Sequence, residues 1–273
     1  MDLLRPLNCC VAAAAILVGA VVEVGFTGLG GSVSRVAVAV VVGIMFTGAG
    51  NAMNDYRDRE IDKVNHPARP IPSGRISAPG ALRFAVAVFA IALTLSIMAG
   101  WLALLVVVIN LAAMMSYEMR FKRKGSSGNV IIGWLVASLF IFGGAATYNG
   151  SVQALSRVSW MGLLAFLATL GREIVKDIED VAGDIDRRTL PKVIGVDKAG
   201  FLASAAFIFG VALSPFPFIT NALGAAYLAV VTLADGIFIY CAWISTANPT
   251  LASRAAKYGM VVALFAFLAG GAL

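Results

Sequence analysis

Charge is scarce in this sequence, histidine and cysteine are scarcer still, and a long polar linker is missing altogether. Aspartate, glutamate, lysine and arginine make up 13% of the 273 residues, against 60% hydrophobic ones. A soluble domain of this size could not cover so much apolar surface, because surface area falls too slowly with size. No soluble basic domain is present either, so the net charge of +6 does not mark a nucleic-acid binder. The single histidine is His66, and Cys9, Cys10 and Cys241 lie in apolar runs without metal-ligand or disulfide spacing. Zinc is therefore a poor fit. With no low-complexity segment or linker to divide it, residues 1–273 read as one domain.

What the chain does have is hydrophobic runs. Nine fit a helical membrane span of about 20 residues, at 7–26, 36–57, 79–99, 101–119, 128–147, 159–178, 199–217, 222–245 and 253–272. A β-barrel would need short alternating strands, whereas Val36–Met45 and Leu102–Ile109 are continuously apolar. The expected fold is all-α, a polytopic bundle of nine transmembrane helices. The first run resembles a signal sequence, but the topology needs it as a span. With the N-terminus cytoplasmic, every lysine and arginine except Arg35 and Arg157 falls on the cytoplasmic side, in agreement with the positive-inside rule. The expected location is the cell membrane, multi-pass, with the chemistry facing the cytoplasm.

That chemistry is written in acids. Asn51, Asp55, Asp58 and Asp62 recur as Glu173, Asp177, Asp180 and Asp184, at a constant offset of 122 residues. Spacings of 4, 3 and 4 place each set on one helix face, stacked over about 16 Å. Both sets end a span on the same side, which suggests two related halves facing each other around a central cavity. Like charges so spaced repel, so two converging rows are expected to need cations. Oxygen donors indicate a hard cation such as Mg²⁺, which takes one or two carboxylates and completes its shell with water and substrate phosphate. Asn51, Asn54, Asp55, Asp58, Asp62, Asp177, Asp180 and Asp184 are the expected metal ligands, and Asp58, Asp62, Asp180 and Asp184 the expected catalytic acids.

Basic residues flank them. Residues 65–75 contain three prolines in six residues, which precludes helix and favours a stiff extended loop able to hold Arg69 and Arg75 toward an anion. A second basic stretch, Tyr117–Lys124, lies on the same side, where Lys122 and Arg123 suit phosphate, as does Lys176 beside the second cluster.

Asn54-Asp55-x-x-Asp58-x-x-x-Asp62 followed by Asp177-x-x-Asp180-x-x-x-Asp184 resembles the UbiA superfamily of intramembrane prenyltransferases, over nearly the whole chain. The Tyr-x-x-x-x-Lys element of that family is matched by Tyr117 and Lys122. Residues 65–77 and 172–184 look most like archaeal digeranylgeranylglyceryl phosphate synthases. The resemblance implies Mg²⁺-dependent transfer of a prenyl group, geranylgeranyl, from its diphosphate to a hydroxyl of geranylgeranylglyceryl phosphate, through an allylic cation. Pyrophosphate is released and archaeal ether lipid is built. The donor is expected on Arg69, Tyr117, Lys122, Arg123 and Lys176. The Pro-Ile-Pro-Ser-Gly loop also occurs in relatives that prenylate aromatic or quinone-precursor acceptors, which is the alternative within the family. A membrane transporter is the rival from another class, although its ion sites would be expected near the midplane rather than at one rim. Oligomeric state leaves no mark on the sequence.

Overall fold

The computed structural model describes residues 2–122, 126–181 and 188–271. The helices are α1 (Pro6–Gly28), α2 (Val33–Asn65), α3 (Ala78–Ala99), α4 (Trp101–Ser116), α5 (Ser126–Thr147), α6 (Val152–Glu179), α7 (Leu190–Ile194), α8 (Val196–Leu213), α9 (Phe216–Ile219), α10 (Ala225–Ile244) and α11 (Pro249–Gly271). Among the described residues, nine of these are long, one for each apolar run. Eight stretches are long and apolar enough to cross a membrane, the first running from Pro6 through Val64 and so comprising α1 and α2. The protein is an all-helical, multi-pass membrane protein.

Side chains on the outer surface confirm the solvent. Trp243 is 82% exposed and Phe201 71%, a placement that water would penalise and lipid does not.

The long helices form a ring in chain order. α2 packs on α3, α3 on α4, α4 on α5, α5 on α6, α6 on α8, α8 on α10 and α10 on α11; α11 then returns to α1, and α1 to α2. Short connections enforce this neighbour-to-neighbour order. α3 and α4 are joined by Gly100 alone, whose φ of 117° lies in a region that side chains avoid. Within the ring, α1 also packs against α5 and α6, and α6 against α11. Phe140, Met161, Leu164, Tyr227 and Phe267 fill the bundle where these helices meet, with the Phe140 and Phe267 rings 5.7 Å apart. At this level the interior is a packed core.

Close approach of α1 and α5 depends on two glycines that face each other's backbone. A Cβ on Gly19 would lie 2.3 Å from the Phe140 carbonyl oxygen, and one on Gly143 would lie 2.0 Å from that of Ile16. Small residues at such crossings let backbones meet where lipid offers no hydrophobic drive.

Three expectations need correction. α2 does not end near residue 57 but continues to Asn65. Its last turns mix acids and bases, including a Lys63–Glu60 pair at 2.7 Å, and meet no proline before Pro67. At about 1.5 Å per residue its 33 residues reach roughly 50 Å, well beyond a bilayer core of about 30 Å. Residues 66–77 are non-helical as expected but coiled rather than extended. The Ser73 amide donates to the Arg69 carbonyl (3.0 Å) and that of Ile76 to the Pro70 carbonyl (3.0 Å), so the prolines shape tight turns. The second acidic set outlasts its helix: Asp180 lies just past Glu179, its amide still bonded to the Lys176 carbonyl at 3.0 Å.

Candidate active site at the acidic end of the bundle

The last turns of α2 present one face inward. Asp55, Asp58 and Asp62 are 2%, 9% and 3% exposed, while Glu60, between them in sequence, points to solvent. The 4-3-4 spacing thus does what helix geometry requires of it.

Each buried carboxylate meets a basic side chain. Arg5, just ahead of α1, donates to Asp55 Oδ1. Arg69, from the proline turns, donates to Asp62 Oδ2 at 2.6 Å and stands 3.9 Å from Asp55 Oδ1. Lys122 Nζ lies 3.0 Å from Asp58 Oδ2 and 3.0 Å from Glu118 Oε2, and it also donates to Asn54 Oδ1. Its position over the Tyr117 ring, 5.7 Å from the centroid, comes from a π-turn that ends α4 at residues 117–121. Uncompensated, a buried carboxylate costs several kcal/mol. Basic side chains of the protein itself thus supply cations against this row.

The N-terminal residues are strapped onto this end. Leu3 packs against Ala49, Ala52 and Met53. The Asn51 side-chain NH₂ donates to the Leu4 carbonyl at 2.8 Å. Asp2 pairs with Arg75 at 2.6 Å, and the hydrogen bond and charge of that guanidinium hold the Asp2 carboxyl below its ordinary range. Arg75 further donates to the Ala68 carbonyl, so it braces the turns. Arg5, Asp55, His66, Arg69 and Arg75 line a cavity of about 520 Å³.

On α6, Asp177 accepts from Asn129 Nδ2 of α5 at 2.8 Å, and Glu173 pairs with its neighbour Arg172. Asp180 and Lys176 are exposed. α5 packs against both α2 and α6. Arg123 and Asp184 lie outside the described residues. The structure therefore gathers Asn54, Asp55, Asp58, Asp62, Arg69, Tyr117 and Lys122 into one site, with Asp177 held by Asn129 of α5 and Lys176 exposed on α6. Sequence reasoning missed Arg5, Glu118 and Asn129. Arg5 is the one basic residue before the first span, and Asn129 a polar residue opening an apolar run; both signals are weak alone.

The donor set fits Mg²⁺: oxygens only, inward-facing, without sulfur or histidine ligands in the row. Among the described residues no three acids, histidines or cysteines form a ready-made metal cluster.

The model of the UbiA prenyltransferase family matches residues 10–269. The chain is 40% identical to the digeranylgeranylglyceryl phosphate synthase of Natronomonas pharaonis, over 99% of this chain and 95% of that one. It is similar to a solved structure described as giving insights into digeranylgeranylglyceryl phosphate synthase in membranes, with TM-score 0.85, 31% identity, and coverage of 99% and 96%. A UbiA homolog from Archaeoglobus fulgidus bound to GPP and Mg²⁺ shares the fold at TM-score 0.60 and 15% identity, over 96% and 98% of the two chains.

Proposed function

This chain belongs to the UbiA prenyltransferase family, and from that premise we propose that it transfers a geranylgeranyl group from its diphosphate to a hydroxyl of geranylgeranylglyceryl phosphate. The observation that carries the reading is the buried row Asp55, Asp58 and Asp62, each matched by a basic side chain, beside a cavity lined by three arginines. Arg5, Arg69 and Arg75 suit an acceptor that bears a phosphate, because guanidinium forks match phosphate oxygens. An aromatic acceptor would give that cluster less to hold. The similarity to archaeal digeranylgeranylglyceryl phosphate synthases supports the same acceptor.

In this mechanism Asp55, Asp58 and Asp62 on α2, with Asp177 and Asp180 and, after them in sequence, Asp184, would hold Mg²⁺. Bound there, it would supply positive charge to offset the charge that builds on the diphosphate as its bond to carbon breaks. Lys122 and Arg69 turn from carboxylate to phosphate oxygen, exchanging one anion for another without leaving a buried charge bare. The prenyl carbon–oxygen bond breaks and pyrophosphate leaves with the electron pair. Apolar helix faces keep water from the allylic cation. The acceptor hydroxyl then forms the new carbon–oxygen bond and passes its proton to the departing pyrophosphate. Both substrates are lipids, so entry from the side, between helices, suits their tails. The acidic end would face the cytoplasm of the cell membrane.

Purified protein supplied with geranylgeranyl diphosphate and Mg²⁺ should release pyrophosphate with the glycerol phosphate lipid and not with an aromatic acid. Asp58→Asn should lower the rate about 100-fold, the scale of losing one electrostatic partner of a developing charge. Chelation should abolish turnover and added Mg²⁺ restore it. Near wild-type turnover by Asp58→Asn would remove that carboxylate from the mechanism, and product from the aromatic acceptor alone would overturn the acceptor.

A further inference from the structure

A second polar cavity, of about 380 Å³, opens at the opposite end of the bundle. It is lined by Glu23 near the end of α1, Ser32 just before α2 and Arg35 in its first turn, Thr147 ending α5 and Asn149 after it, and Arg157 in α6. Arg35 and Asp58 are separated by 23 residues of α2, roughly 35 Å along its axis, so this cavity shares nothing with the acidic site.

Glu23 makes the cavity unusual. The residue is 4% exposed, and neither carboxylate oxygen has a hydrogen-bond partner. Gly144 leaves room for it: a Cβ there would stand 3.3 Å from Glu23 Oε2. Arg157 lines the same cavity without a hydrogen bond to Glu23. Arg35 bonds Ser32 Oγ at 3.1 Å and leaves most of its guanidinium donors for something else. A buried acceptor left unmatched is costly, and such a group calls for an explanation by a ligand.

Charge narrows the ligand. Two arginines and one glutamate line the cavity, an excess of one basic side chain over acidic ones. A phosphodiester brings the compensating single negative charge, and guanidinium groups are its natural partners. Glu23 adds a second requirement, a donor on the same molecule. An ammonium would need Glu23 as the carboxylate, whereas a hydroxyl bonds it in either protonation state and adds no positive charge beside the arginines. We propose that this cavity binds a hydroxyl-bearing phosphodiester of the glycerophosphoglycerol type, with Arg35 and Arg157 on the phosphate and Glu23 accepting from the hydroxyl. Such a group is available as the headgroup of a lipid in the leaflet opposite the acidic site, or as the free soluble ester.

Native mass spectrometry of the purified full chain in detergent tests this with four probes. These are phosphatidylglycerol; phosphatidylmethanol, with the same charge but no hydroxyl; phosphatidylcholine, with neither net charge nor hydroxyl; and soluble glycerophosphoglycerol. The wild type should retain one phosphatidylglycerol about tenfold above phosphatidylcholine, the scale of one charge-assisted contact. Arg35→Ala or Arg157→Ala should remove that excess. Glu23→Leu should erase the preference for phosphatidylglycerol over phosphatidylmethanol while leaving both retained. Competition by glycerophosphoglycerol supports the site with the free ester as its source; no competition, with lipid retained, supports it with the headgroup. Equal retention of phosphatidylglycerol and phosphatidylcholine, or retention unchanged in both arginine variants, would overturn the proposal. Helix content by circular dichroism separates lost binding from lost fold, and the two arginines, both outside the packed core, provide the readout should Glu23→Leu not fold.

Discussion

One lysine carries a disproportionate share of the acidic end. Lys122 touches Asp58, Asn54 and Glu118, and both acids are nearly enclosed. Lys122→Met should therefore remove the cation that Asp58 and Glu118 share, destabilising the protein by about 3 kcal/mol in thermal denaturation. Lys122→Arg should keep most of that stability, since the charge is retained. Equal melting of Lys122→Met and wild type would show the pairing to be idle. At this scale the sequence was half legible. The 4-3-4 spacing gives the α2 row because helix geometry is local, and Lys122 is singled out by resemblance to the family's Tyr-x-x-x-x-Lys element. Arg5 does not, because its partner Asp55 is fifty positions away and only the fold joins them. Asn129 is hidden for the same reason.

Single elements were easier to read in the middle than at the ends. Nine apolar runs announce nine helices, since lipid permits the backbone little else. Where α2 stops is decided by weak local pairs such as Lys63–Glu60, which hydropathy ignores. The α1–α5 crossing was also invisible, because Gly19 and Gly143 matter only for what lies opposite them. In an open helix, Gly→Ala stabilises by up to about 1 kcal/mol. At Gly143 the sign should reverse, with Gly143→Ala costing about 2 kcal/mol because its Cβ meets a carbonyl oxygen 2.0 Å away. Gly236→Ala, with nothing within 4 Å, is the matched control and should melt no lower than wild type. Melting curves of the two variants side by side would decide it.

For the whole molecule, orientation is a question of charge and ring order a question of packing. The distribution of lysine and arginine sets the first, and it is read directly from sequence. The second is not, since α1 crossing to α5 and α6 follows from side-chain fit rather than from hydropathy. Orientation can be checked in intact cells with Cys10 replaced by serine, as Cys9 and Cys241 are buried. A membrane-impermeant maleimide should label Gly30→Cys at once and Ser73→Cys only after permeabilisation. The reverse pattern would turn the acidic end outward.

The strap formed by residues 2–5 has a practical corollary. Asp2 is tied to Arg75, the Leu4 carbonyl to Asn51 and Arg5 to Asp55, so residues 2–5 are woven into the wall of the acidic end. Any peptide fused ahead of it would emerge beside the carboxylates and tug on the arginines that attend them. Purification handles and reporter fusions belong at the other terminus.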